Sequence, residues 1–144
     1  MRFWDSSAVV PLLLTESGSN AALQILSDRN DITVWWGTPI ECVAAITRAE
    51  RDARIDTVAV PDAVAALRLL RSSWVEVDAT ARLREIAERL VRVHPLRAAD
   101  AMQLAAAGVA CDGQPSTLQF VTLDDRLAQA ADREGFPVLM PGRA

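Results

Sequence analysis

The sequence predicts an α/β domain with a mainly parallel central sheet of about five strands and helices on both faces. Short apolar runs that suit β-strands alternate with longer segments of helical periodicity along the chain. Gly and Pro residues mark many of the junctions between these segments. The chain has 144 residues, 51% of them hydrophobic and 24% charged, which is typical of a globular domain. We therefore expect residues 1–144 to form one domain.

The predicted strands are short apolar or β-branched runs bounded by turn residues or acids. They are residues 2–4, 32–36, 74–77, 119–122 and 138–140. Gly37 closes the second strand, and Pro141 with Gly142 closes the last. At least one helical segment separates each strand from the next, which favours parallel pairing.

The predicted helices carry apolar residues at spacings of three and four. They are residues 7–14, 19–26, 38–54, 60–70, 79–93, 98–110 and 124–134. Pro61 suits the first turn of the fourth helix. The fifth helix is the most clearly amphipathic, and Pro95 ends it. The sixth helix is alanine-rich and apolar except for Asp100 and Gln103, so we expect it to be buried.

Charge and cysteine usage exclude several classes of protein. All 15 basic residues are Arg, and the net charge of −4 does not indicate a polyanion-binding protein. No apolar run is long enough to span a membrane, and Asp5 interrupts any signal-peptide pattern, so we expect a cytoplasmic protein. Cys42 and Cys111 lack metal-ligand spacing and are expected to be buried, reduced residues.

Four acids stand where a parallel sheet places its functional residues. Asp5 and Asp124 follow predicted strands, and Glu41 and Asp100 lie in the first turns of predicted helices. Ligands of open parallel sheets bind beyond the carboxyl ends of the strands. We therefore expect these four side chains to project toward one crevice.

Each acid also has a structural interpretation. Asp5 and Asp124 could be helix N-caps. Glu41 fits a capping box with Thr38, and Asp100 could form an ion pair with Arg97.

Convergence of the four acids favours a metal site. Clustered carboxylates repel one another and raise one another's pKa values, so they need a cation. Oxygen ligands without His or Cys favour Mg²⁺, with Mn²⁺ as a possible substitute. Such a site suits hydrolysis of a phosphodiester.

Four segments resemble the motifs of PIN domains and, more narrowly, of VapC-type toxins from toxin–antitoxin pairs. They are residues 5–10 (DSSAVV), 39–44 (PIECVA), 96–105 (LRAADAMQLA) and 120–127 (FVTLDDRL). The resemblance covers essentially the whole chain, through residues 135–142. It implies a three-layer α/β/α PIN-like fold and a Mg²⁺-dependent endoribonuclease.

The resemblance also implies roles for particular residues. Asp5 and Asp100 would be the principal metal ligands, and Glu41 and Asp124 would complete the catalytic acidic pocket. Ser7 and Thr122 match the small hydroxyl positions, and Gln103 stands where many relatives have His. A VapC-like protein is further expected to cut tRNA or rRNA, to form a homodimer, and to be neutralised in a hetero-oligomer by a cognate antitoxin.

Other residues have weaker signals. The candidates for phosphate contact are Arg48, Arg51, Arg54 and Arg97, although the first three also fit a solvated helix face. Trp35 and Trp36 could stack on bases, but neighbouring strand residues point to opposite faces, so we expect at least one to be core. His94 is expected to be structural.

Two rival enzyme classes are excluded and two interpretations stay open. A phosphoacceptor receiver domain needs a Lys after its last strand, and the chain has none. A haloacid-dehalogenase phosphatase needs an Asp where Ser7 stands. A DNA-cutting or structure-specific nuclease with the same pocket remains possible. So does a catalytically silent PIN-like module that binds RNA or protein.

Overall fold

Five parallel strands form the centre of the computed structural model, which describes residues 1–143. The strands are β1 (Arg2–Trp4), β2 (Thr33–Trp35), β3 (Val75–Val77), β4 (Gln119–Val121) and β5 (Val138–Leu139). Their order across the sheet is β3-β2-β1-β4-β5, and every neighbouring pair is parallel. From β1 the chain adds β2 and then β3 on one side of the sheet. It then returns to the centre, where β4 pairs with the other side of β1 and β5 pairs with β4. This reversal of direction lies between β1 and β4, where open α/β sheets form a crevice.

Helices cover both faces of the sheet. They are α1 (Ser6–Leu13), α2 (Ser19–Asp28), α3 (Thr38–Arg51), α4 (Val60–Arg71), α5 (Ala81–Val93), α6 (Ala98–Ala110) and α7 (Asp125–Arg133). The predicted α/β/α architecture with a parallel five-stranded sheet is therefore confirmed.

Alternation along the strands divides the interior into two cores. Phe3 and Phe120 belong to the core beneath α5, α6 and α7, and their rings stack with centroids 5.5 Å apart. The next residues along each strand, Trp4 and Val121, belong to the core beneath α1, α3 and α4. Successive strand side chains point to opposite faces, which is why β1 and β4 each place apolar residues in both cores.

Most predicted boundaries agree with the structure to within about two residues, and α6 agrees at both ends. The main difference is α3, which ends at Arg51 instead of residue 54. Ala53 adopts a left-handed backbone conformation with φ 55°, which stops the helix. Trp35 is buried and Trp36 is exposed, as the strand alternation predicts. No helix within residues 1–143 has both the length and the apolarity to cross a membrane.

Candidate active site

Asp5 follows β1 at the carboxyl edge of the sheet, with 3% of the residue exposed. Its Oδ2 accepts hydrogen bonds from the Thr122 hydroxyl, at 2.7 Å, and from the Ser7 hydroxyl. Burial raises the pKa of Asp5, the two hydroxyl donors oppose that increase, and the negative charge of Asp100 adds to it. The backbone of Asp5 occupies the N-cap position of α1, but its side chain makes no capping hydrogen bond.

The two hydroxyls that hold Asp5 are themselves held by the loop after β4. Ser7 Oγ accepts a hydrogen bond from the amide of Leu123 at 2.9 Å, and Thr122 Oγ1 accepts one from the amide of Asp124 at 3.0 Å. Each hydroxyl therefore donates a hydrogen bond to the Asp5 carboxylate and accepts one from a backbone amide of the loop. This network fixes the segment that carries Asp124 relative to Asp5.

Glu41 lies in the first turn of α3 and is bracketed by two donors. Its Oε1 accepts from Gln103 Nε2 at 2.7 Å, and its Oε2 accepts from the Ser6 hydroxyl at 3.2 Å. Burial raises the pKa of Glu41, the hydrogen bond from Gln103 lowers it, and the charge of Asp5 raises it again, so that the pKa ends above its usual range. Ser6 also reaches Asp5 Oδ1 at 3.4 Å and so links the two acids.

The capping-box interpretation of Glu41 is wrong. The N-cap of α3 is Gly37, one residue earlier than the pattern predicts, and Thr38 lies inside the helix. The Thr38 hydroxyl accepts a hydrogen bond from Gln103 at 3.1 Å instead of capping the helix. Both members of the apparent capping box are thus turned toward α6.

Asp100 and Asp124 complete the acidic group. Asp100 lies in the first turn of α6, where burial and the charge of Asp124 raise its pKa, while Arg97 and Arg126 oppose that increase. Asp100 does not form an ion pair with Arg97 within 4 Å in the described chain. Asp124 does cap α7, because its Oδ1 accepts from the Leu127 amide at 3.0 Å.

All four acids line one cleft of about 290 Å³, together with Ser6, Ser7 and Arg48. An adjoining cleft of about 660 Å³ shares Arg48 and three of the acids and adds Arg97 and Arg126. The acids of the two clefts are thus flanked by three arginines, Arg48, Arg97 and Arg126, which we call the arginine rim. Arg51 and Arg54 are exposed and do not line either cleft, which fits their alternative interpretation as a solvated face.

Sequence reasoning missed Arg126 and Ser6. Arg126 follows Asp124 and Asp125 directly, and its position in the first turn of α7 was the available signal. Ser6 lies between two residues that the motif already marked.

His94 is buried and pairs with Glu134 at 2.7 Å, which agrees with a structural role. Cys42 and Cys111 are buried and free, and burial raises the pKa of the Cys42 thiol to about 12.

The donor chemistry of the cleft fits a hard divalent cation. Among residues 1–143, no three His, Cys, Asp or Glu side chains converge closely enough to form a ready-made metal cage. Mg²⁺ does not require one, because it commonly binds one or two carboxylates and keeps several waters. Carboxyl groups that raise one another's pKa are stabilised by such a cation.

A parallel five-stranded sheet with acids gathered at its carboxyl edge is the arrangement of a PIN-like domain. The family model described as "PIN domain" matches residues 2–133, and the chain belongs to this family.

Relatives and solved structures agree with this assignment. The chain is 33% identical over 149 aligned residues to Ribonuclease VapC35 of Mycobacterium tuberculosis, covering 100% of this chain and 99% of the relative. Its fold is similar to FitAcB from Neisseria gonorrhoeae, with a TM-score of 0.68, 15% identity and 100% of both chains covered. It is also similar to PAE2754 from Pyrobaculum aerophilum, with a TM-score of 0.64, 20% identity and coverage of 96% and 87%.

Proposed function

We propose that this protein is a Mg²⁺-dependent endoribonuclease toxin of a toxin–antitoxin pair. One observation carries the proposal: four acids from four separate segments line a single cleft at the carboxyl edge of the sheet. The full-length similarity to a protein named as a ribonuclease supports RNA as the substrate.

In this proposal Asp5 and Asp100 would hold Mg²⁺, and Glu41 and Asp124 would complete the acidic pocket around it. When bound, Mg²⁺ would neutralise charge on the scissile phosphate and acidify a water for attack on phosphorus. Ser7 and Thr122 keep the buried Asp5 carboxylate oriented.

The arginine rim compensates for the acidic character of the protein as a whole. Arg48, Arg97 and Arg126 line the clefts beside the acids, where guanidinium groups can bind backbone phosphates of RNA. A net charge of −4 would otherwise repel a polyanion. Binding therefore depends on local charge at the cleft.

We also propose that the protein forms a homodimer and that a cognate antitoxin neutralises it by covering the cleft. The exposed apolar side chains of Trp36, Ile40 and Val43 support a protein partner, because they lie at the junction of β2 and α3, next to Glu41. Size-exclusion chromatography with light scattering measures the oligomeric state, and a monomer at micromolar concentration would contradict the homodimer.

The first test is cleavage of a mixed tRNA and rRNA pool by the purified, antitoxin-free protein. The wild type is assayed with Mg²⁺ and with EDTA, beside Asp100→Asn and the control Asp132→Asn, an exposed acid on α7. We expect cleavage that requires both Mg²⁺ and Asp100 and is unaffected in the control.

Two other results would overturn the proposal. No cleavage together with no Mg²⁺ binding by calorimetry would make the chain a binding module whose acids are structural. Cleavage of DNA in place of RNA would reassign the substrate while keeping the metal site.

A further inference from the structure

Gln103 is a buried polar residue in an otherwise apolar helix. It lies one turn after Asp100 in α6, and 0% of the residue is exposed. It does not line either of the clefts that contain the acids, so it lies behind Glu41 and cannot touch a substrate there.

The Gln103 amide has two acceptors in α3. Its Nε2 donates to Glu41 Oε1 at 2.7 Å and to Thr38 Oγ1 at 3.1 Å, so both N–H groups are used. Its Oε1 is buried and has no hydrogen-bond partner among residues 1–143. The reverse orientation of the amide would place Oε1 against the Glu41 carboxylate, which is an acceptor when ionised. The contact with Glu41 therefore determines the orientation.

This arrangement does not optimise stability. A buried amide oxygen without a partner destabilises the folded state, and Met would fill a similar volume without that cost. Gln103 is thus better explained by what it does to Glu41 than by packing.

We propose that Gln103 is a positioning residue that fixes the Glu41 carboxylate toward the cleft. The inference rests on the proposed nuclease function. Through it, a single helix places two acids: α6 presents Asp100 directly and Glu41 through the Gln103 amide. Thr38 contributes by accepting the second N–H and so holding the amide plane.

The first measurement does not depend on activity. In ¹⁵N NMR spectra, the two side-chain amide protons of Gln103 are expected to exchange slowly with solvent, and Glu41→Ala is expected to shift them and increase their exchange. Resonances that are unchanged in Glu41→Ala would overturn the contact. This arm requires neither RNA nor Mg²⁺, so it separates failure of this inference from failure of the proposed function.

The second measurement is a double-mutant cycle with Gln103→Met and Glu41→Ala. We expect Gln103→Met to fold, with a melting temperature somewhat below that of the wild type because the Glu41 carboxylate loses a donor. We expect it to lose about 10- to 100-fold in kcat with little change in KM. In the Glu41→Ala background, the same substitution should have no further effect on kcat. Gln129→Met, at an exposed position on α7, serves as the matched control.

Three results would overturn the inference. The first is full activity of folded Gln103→Met, and the second is an equal loss of kcat in the presence and absence of Glu41. The third is a fall in melting temperature that is as large in the Glu41→Ala background as in the wild type, which would indicate a structural role that does not act through Glu41.

Discussion

The hydroxyl of Thr122 offers the sharpest test of how the Asp5 carboxylate is held. Thr122 is fully buried, donates to Asp5 Oδ2 at 2.7 Å and accepts from the Asp124 amide at 3.0 Å. Thr122→Val has nearly the same shape as the native residue. It therefore removes both hydrogen bonds without leaving a cavity.

The size of the effect follows from these contacts. A hydrogen bond to a charged group contributes about 1.5–3 kcal/mol, so Thr122→Val should lower the free energy of unfolding by about 2–3 kcal/mol. For a domain of this length that corresponds to a fall of about 7–10 °C in melting temperature. Thr122→Ser keeps the hydroxyl and loses one buried methyl group, which should cost about 1 kcal/mol.

The loss of unfolding free energy caused by Thr122→Val should depend on pH in a defined direction. Burial raises the pKa of Asp5, and the hydroxyl donors oppose that increase because they stabilise the ionised form. Removing the Thr122 donor raises the pKa of Asp5 further. The valine variant is therefore penalised most at high pH, where Asp5 is ionised in the wild type, and less as the pH falls.

Thermal unfolding followed by circular dichroism at pH 8, 7 and 5, without Mg²⁺, measures these differences for the wild type and both variants. Equal stabilities of the valine and serine variants would refute the reasoning. So would a valine penalty that is larger at low pH than at high pH, because the hydroxyl donor would then not favour the ionised Asp5 carboxylate.

Three further predictions concern the metal, an ion pair and a helix end. Mg²⁺ at 100 times its Kd should stabilise the wild type by about 2.7 kcal/mol in a thermal shift assay, and Asp100→Asn should abolish this gain. Burial raises the pKa of Glu134, but hydrogen bonds from Arg89 and His94 outweigh it and leave the pKa lowered. Its contribution to stability is therefore present at neutral pH and lost as the pH falls through that lowered pKa. In urea unfolding, Glu134→Gln should therefore make the free energy of unfolding depend less on pH in the acid range. Ala53→Gly should raise stability by about 1 kcal/mol, since φ 55° suits Gly, whereas Ala65→Gly inside α4 should lower it.

The positions of the acids were predictable because they depend on the order of elements. Asp5 and Asp124 follow strands, and a parallel sheet brings the carboxyl ends of its strands to one edge. Asp100 was predictable for another reason, since a carboxylate in an apolar helix needs a partner or a cation. Neither argument requires knowledge of any side-chain contact.

The partners of the acids were not predictable, because they come from distant parts of the chain. The pattern Thr38 to Glu41 satisfies every local rule for a capping box, yet both side chains accept hydrogen bonds from Gln103 in α6. A tertiary contact of this kind outweighs a local capping preference of about 1 kcal/mol. The arginine rim has the same origin, since only the packing of α7 beside α6 places Arg126 near Arg97.

Asp124 shows why a helix cap and a place in the acidic cleft do not exclude each other, and Asp5 shows the opposite choice. Both residues occupy N-cap positions, as their sequence context suggests. Asp124 caps α7 with Oδ1 and still lines the cleft, because a carboxylate has two oxygens to use. Asp5 does not cap α1, because the hydroxyls of Ser7 and Thr122 bind its carboxylate and α1 begins without a side-chain cap. An N-cap aspartate that is buried, bound by hydroxyls and free of its capping hydrogen bond carries a cost in helix stability, and the metal-binding role proposed for Asp5 accounts for that cost.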